Sequence, residues 1–174
     1  MSSSPSVETV WHGRYLEMKQ DGRWEYAARV RDTEAAMIFA VTPEHCLLLV
    51  EEYRPPIRQF SICAPAGLCG DDHAESGEDA ARRELLEETG YEAGEMEYLF
   101  SGPSSPGLSS EIISFYRAQN LSRVGLGGGV GGEHIVVHEV PLPDVETWLR
   151  ERMCEGKAID PRIFAGLYFI LKYP

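Results

Sequence analysis

Arg83-Glu84-Leu85-Leu86-Glu87-Glu88-Thr89-Gly90-Tyr91 is the stretch on which the reading of this chain turns. On a helix turning about 100° per residue, Glu84, Glu87 and Glu88 fall within one narrow arc, because their spacing is i, i+3, i+4. Like charges so placed repel one another and weaken an isolated helix. A divalent cation would convert that repulsion into affinity; water would merely screen it. Taken alone, ExxEE is the pattern of an ordinary solvated acidic face. Working outward, Ser76 with Asp79 three positions later forms a capping-box pattern, and Gly90 sits where a C-terminal cap belongs. The sequence therefore predicts a helix over Gly77 to Thr89, with Leu85 and Leu86 docking it.

Around that helix the pattern is mostly of strands. Thr9 to Met18 and Trp24 to Arg31, rich in aromatic and β-branched residues and separated by Asp21-Gly22, predict an N-terminal hairpin. Ala36 to Thr42 and Cys46 to Glu51 follow, the second containing CLLLV, a run suited to a strand buried on both faces. A short strand over Gln59 to Cys63 is expected to run into a turn at Pro65-Ala66-Gly67. Further strands are expected at Glu97 to Phe100, Ile112 to Ala118 and His134 to Val140, with the glycine run 125–132 as a mobile loop. Two helical patterns, Asp144 to Cys154 and Pro161 to Leu171, close the chain.

A length of 174 residues fits one compact domain. The formal charge of -12 argues against a nucleic-acid footprint, which needs a basic face. A small anionic substrate remains compatible, provided cations and local arginines mask the field. Cys46, Cys63, Cys69 and Cys154 are scattered, without a CxxC pair or zinc spacing, and read as reduced thiols. The segment MSSSPSVETV has neither a basic start nor an apolar stretch, and no run approaches transmembrane length. The expectation is a cytoplasmic chain without membrane or nucleic-acid partners. Gly127, Gly129 and Gly132 spell GxGxxG, but a strand pattern follows where a dinucleotide-binding fingerprint needs a helix.

Residues Arg83 to Tyr91 match REUxEExGU, the signature of the Nudix hydrolases, at every specified position, and Glu75 stands eight residues before Arg83 as that signature requires. Where the signature's leading glycine belongs, this chain has Cys69; PAGLCGDDHAE resembles the family's PAG turn with two residues added, making Gly67 the counterpart. EEYRPP (51–56), APAG (64–67), SPGLSSE (105–111) and GGEHIVVHEVP (131–141) resemble the ADP-ribose and ADP-sugar pyrophosphatase branch. Many members carry glutamate where this chain has Cys63.

The resemblance implies an α/β fold: an α/β/α sandwich with a mixed central sheet and an N-terminal antiparallel hairpin. It also implies a division into a tail and hairpin, 1–31, serving dimerisation, and a hydrolase domain, 32–174. Magnesium, or manganese in its place, would be held by Glu84, Glu88 and the Ala66 carbonyl, with Glu87 as a further ligand or a partner for water. Hard cations favour such oxygen ligands. Arg83 would orient a glutamate, and Glu133 would serve as general base. Arg54 would lie beside the diphosphate; Trp24 and Tyr15 would stack the base, with Arg29 nearby, and Gly67 and Gly107 would border the substrate. The implied reaction is hydrolysis of ADP-ribose to AMP and ribose 5-phosphate by a homodimer. Another nucleotide sugar, a dinucleotide or an oxidised nucleotide is the alternative substrate, and a catalytically silent nucleotide sensor the alternative of another class.

Overall fold

A computed structural model of the chain describes residues 7–31, 33–70 and 75–172. Its strands are β1 (Glu8–His12), β2 (Leu16–Asp21), β3 (Trp24–Arg29), β4 (Ala35–Ala40), β5 (Cys46–Arg54), β6 (Gln59–Cys63) and β7 (Ala66–Leu68), followed by β8 (Tyr91–Pro103), β9 (Ile112–Arg123), β10 (Val136–Pro141) and β11 (Ala158–Ile159). The helices are α1 (Gly77–Thr89), α2 (Val145–Cys154) and α3 (Arg162–Lys172).

Two four-stranded sheets make the centre, in the orders β10-β5-β6-β11 and β7-β4-β9-β8. Each is mixed: β4 runs parallel to β9, and β11 parallel to β6, while their other pairings are antiparallel. Alternation along β4 explains the layering. Ala36, Ile38 and Ala40 pack with Ala80, Ala81 and Leu85 of α1, whereas Met37 and Phe39 pack on the opposite face with Leu149 of α2 and Ile163 of α3. In β5, Leu48 joins the α1 side while Leu47 and Leu49 join the other, so CLLLV is buried on both faces. Helices on both sides of the strands make the expected α/β/α sandwich.

Helix α1 begins and ends as its sequence dictates. The Ser76 hydroxyl accepts a hydrogen bond from the Asp79 N–H at 3.1 Å, and Gly90 takes the left-handed conformation (φ 75°) while its N–H donates to the Leu86 carbonyl. Leu85 is fully buried, worth about 2 kcal/mol of apolar transfer. Leu86 is exposed and does not dock the helix, contrary to expectation; one residue on, it points roughly 100° away from Leu85.

The N-terminal element is a three-stranded antiparallel sheet, β1-β2-β3, where the sequence suggests a hairpin. Thr9 to Met18 is broken at Gly13, whose N–H donates to the Leu16 carbonyl and turns the chain between β1 and β2. This sheet is tied to the rest by Ala27 of β3, whose N–H donates to Leu108 O and whose carbonyl accepts from Ser110 N–H. The expected strand at Glu97 to Phe100 is the middle of the longer β8, which bulges between Tyr98 and Phe100. The turn expected at Pro65-Ala66-Gly67 continues into β7, and the two-residue β11 has no counterpart among the sequence expectations. Residues 71–74, where the added loop residues fall, lie outside the described residues.

Candidate active site

The C-terminal half of α1 lies against β7, which brings two of its carboxylates onto a cavity of about 490 Å³. Glu88 is buried, and its carboxylate accepts the Ala66 N–H at 3.1 Å. Burial pushes its pKa up to about 8, against the opposing Ala66 bond. Burial also raises Glu84, opposed by the hydrogen bond that Arg83 donates to it at 2.8 Å. A Cβ added to Gly67 would overlap the Glu84 carboxylate, so the missing side chain at 67 is the space that Glu84 occupies.

Arg83 ties this acidic group together. Its guanidinium donates to Glu75 at 3.1 and 3.2 Å, to Glu84, to Glu87 at 3.1 Å and to the Leu68 carbonyl at 3.0 Å. The bonds from Arg83 hold Glu75 below the ordinary carboxylate range. Glu87 is therefore engaged by Arg83 and lies outside the cavity lining, while Ala66, Gly67, Glu84 and Glu88 border it.

Glu133 reaches the same cavity from the glycine loop, its carboxylate accepting the Val130 N–H at 3.1 Å. That loop is anchored to the catalytic-helix candidate. Val124 and Gly125 donate to the Gly90 carbonyl, Gly128 to Glu88 O at 2.8 Å and Gly129 to Glu87 O at 3.0 Å. A helix end leaves such carbonyls without intrahelical partners, and the loop supplies them. Gly127 has φ 69°, and any Cβ there would run into the backbone of Glu88 and Thr89.

Arg54 and Arg29 also line the cavity. Arg54 is ion-paired with Glu52. Arg29, carried by β3, pairs with Glu111 at 2.5 Å, and its Nε is buried without a hydrogen-bond partner. Tyr15 is exposed and borders a second cavity of about 420 Å³, which also contains Arg29. Trp24 is exposed, and neither it nor Gly107 borders either cavity, so the structure does not bring these two to the acidic group.

Sequence reasoning missed Glu52, Glu111, Asp160 and Arg162, all on the first cavity. Glu52 and Arg54 had a signal: they alternate on one face of β5 just past its buried run. Glu111 lay inside the quoted SPGLSSE segment. Asp160 and Arg162 carried no local signal at all. Cys63 lines the cavity too, and burial pushes its thiol up to about 12, leaving it neutral and unreactive.

Two desolvated carboxylates beside arginines on one cavity make a site suited to an anionic substrate with its counter-ions. The NUDIX domain family model matches residues 31–157, and the chain belongs to that family and is a hydrolase. It is 34% identical over 178 residues to a protein of Bacillus methanolicus named methanol dehydrogenase activator, covering 96% of this chain and 94% of that one. It is 34% identical to an ADP-ribose pyrophosphatase of Bacillus subtilis, over 66% of this chain and 64% of the relative. With a GDP-mannose pyrophosphatase of Yersinia enterocolitica it shares 31% identity over 82% of this chain and 78% of the relative. A crystal structure of an ADP compounds hydrolase has the same fold, with a TM-score of 0.73 at 24% identity over 98% of this chain and 94% of the other. No helix among the described residues is long and apolar enough to cross a membrane.

Proposed function

We propose that the chain hydrolyses the pyrophosphate bond of a nucleoside diphosphate sugar in a magnesium-dependent reaction, with ADP-ribose as first substrate and AMP and ribose 5-phosphate as products. The observation that carries this reading is the pairing of the desolvated Glu84 and Glu88 on one cavity with Arg54, Arg29 and Glu133. The names of two relatives, an ADP-ribose pyrophosphatase and a GDP-mannose pyrophosphatase, favour a nucleotide sugar over a triphosphate.

The residues present fit a hard divalent cation. Among the described residues no three His, Cys, Asp or Glu side chains converge to enclose an ion by themselves. Glu84 and Glu88, with an Ala66 backbone oxygen, would hold part of its shell and leave the rest to water and substrate, as magnesium prefers and manganese tolerates. When bound, the cation neutralises charge on the phosphoryl oxygens. Arg83 holds Glu84 and Glu87 in register, so less reorganisation is needed on loading. Arg54 offers a planar fork to the diphosphate, and Glu133 takes the proton of the attacking water. Gly67 keeps the backbone low where Glu84 needs room. The base of the nucleotide stacks on Tyr15, with Arg29 at the join between the two cavities, while Trp24, which borders neither, is left to the dimerisation surface. Gly107 belongs to the loop that carries Glu111 towards Arg29.

The exposed Val10, Trp11, Tyr15, Leu16 and Trp24 on β1 to β3 and their turns support residues 1–31 as a homodimerisation element. Sedimentation velocity checks this: a monomer at micromolar concentration would remove it.

The functional test is a panel of ADP-ribose, ADP-glucose, GDP-mannose, NADH and oxidised nucleotides, with and without magnesium, with products separated by chromatography. Metal-dependent release of AMP from ADP-ribose is expected, and Glu88→Gln lowers turnover far more than binding. Turnover unchanged in Glu88→Gln would remove that residue from the metal shell. The activator name of the Bacillus methanolicus relative favours a second reading, a nucleotide-binding regulator of a protein partner. Tight nucleotide binding without turnover of any substrate would select it.

A further inference from the structure

The cavity extends well beyond the acidic helix, along a wall with no assigned role. From Glu88 it passes Cys63 at the end of β6 and reaches Asp160, which follows β11 on the same sheet; the Asp160 N–H donates to Ile62 O at 2.9 Å. Arg162, two residues on at the start of α3, grips Asp160. Its Nε donates to both carboxylate oxygens at 2.8 and 3.0 Å, its backbone N–H donates to one of them at 2.9 Å, and a terminal nitrogen closes the fork. The other terminal nitrogen has no hydrogen-bond partner among the described residues, although the head group borders the cavity. The Asp160 side chain is only 10% exposed, against 38% for Arg162.

A surface ion pair would need no cavity, and a purely structural buried pair is seldom better than apolar packing. This pair instead faces open space with hydrogen-bonding capacity left over. The chemistry of that space selects a ligand group. Six carboxylates line the cavity (Glu52, Glu84, Glu88, Glu111, Glu133 and Asp160) against three guanidinium groups (Arg29, Arg54 and Arg162). A further phosphate beside Asp160 would meet its negative charge and compete with it for Arg162, which is already committed to that carboxylate. A neutral polyhydroxylated group meets no such penalty. A carboxylate accepts from one hydroxyl while the adjacent guanidinium donates to its neighbour, which is how a rigid acceptor and donor pair reads vicinal hydroxyls. Cys63, neutral and small, leaves room between this pair and Glu88.

We infer that Asp160 and Arg162 form the subsite for the sugar hydroxyls of the nucleoside diphosphate sugar and set which sugar is accepted. This rests on the substrate class proposed above and adds the residues that read the sugar. Arg162 acts both as donor and as the clamp that keeps the Asp160 carboxylate aimed; α3 provides a rigid base for both.

The test separates binding from turnover. Calorimetry without divalent metal compares the affinity of the whole protein for ADP-ribose and for analogues lacking one hydroxyl of the terminal ribose. Wild type is expected to lose about 10-fold or more per relevant hydroxyl, since the polar groups of the site are left unpaired. In Asp160→Asn and in Arg162→Lys that penalty shrinks to about 3-fold or less, because the first loses the charged acceptor and the second the planar fork that aims it. Arg162→Lys keeps the charge and loses only the fork, so it serves where loss of the Asp160 carboxylate impairs folding; thermal melts verify both variants. An undiminished hydroxyl penalty in both folded variants would overturn the inference, as would a wild type that ignores the hydroxyls or binds no nucleotide sugar. Discrimination in binding without hydrolysis on adding magnesium would leave the subsite standing and remove the hydrolytic reading instead.

Discussion

Replacing Gly67 by alanine tests the acidic site at the point where its geometry is tightest. Gly67 does not adopt a left-handed conformation, so the backbone accepts alanine, and the substitution removes unfolded-state freedom worth about 0.4–1 kcal/mol. The added Cβ would overlap the Glu84 carboxylate, the far end of a flexible side chain, and the carboxylate has to move on the order of 1 Å. Stability should therefore change little, with Tm within about 4 °C of wild type for a chain of this size. Activity should not survive so well: a misplacement of about 1 Å at the reacting centre is worth roughly 100-fold, or about 2.7 kcal/mol of barrier. The assay is metal-dependent kcat/KM on the best substrate of the panel, paired with a thermal melt. In a Glu84→Gln background, Gly67→Ala should add less than about threefold, because both changes act through one carboxylate. A folded Gly67→Ala enzyme with wild-type activity would refute the reasoning, as would a full further loss in the Glu84→Gln background.

Gly127→Ala should act on folding as well as on the site. Left-handed strain and overlap with the backbone of Glu88 and Thr89 together predict a loss of about 2–4 kcal/mol in urea unfolding, and an unchanged midpoint would contradict it. Away from the cavity, Glu51 accepts from Lys157 at 2.5 Å and from His138 at 3.1 Å. Burial works to raise its pKa, but these bonds outweigh burial and hold it below the ordinary carboxylate value of 4.5. A depressed folded pKa contributes stability that is complete above the unfolded value and lost as pH falls through the folded one. Lys157→Met should then cost about 1–3 kcal/mol at pH 7 and flatten the acid limb of the stability profile below about pH 4.5. A parallel acid limb in mutant and wild type would show that the pair contributes nothing.

Much of the fold was legible because its signals are local. The Ser76 cap, the Gly90 stop and the i, i+3, i+4 carboxylates specify α1 from Gly77 to Thr89 without reference to the rest of the chain, and CLLLV announces a strand with a layer on each face. Arg83 stood out for the same reason, since its partners Glu84 and Glu87 are neighbours on its own helix.

What the tertiary structure alone decided is which distant side chains share a space. Glu87 lies in the same arc as Glu84 and Glu88, yet Arg83 holds it outside the cavity, while β7 covers Glu88 and lifts its pKa. The glycine run reads from sequence as loose chain, whereas its N–H groups complete the end of α1 and thereby set where Glu133 starts. Gly13 divides one expected strand into two, and the resulting sheet delivers Arg29 to Glu111, 82 residues away. Asp160 and Arg162 enter the cavity only because two residues of β11 pair with β6. The physical reason is common to all of these. Helical caps and periodicities depend on neighbours within one or two turns, so they are written in the local sequence; desolvation, cavity walls and ion pairs depend on which surfaces meet when sheets close, which no local stretch records.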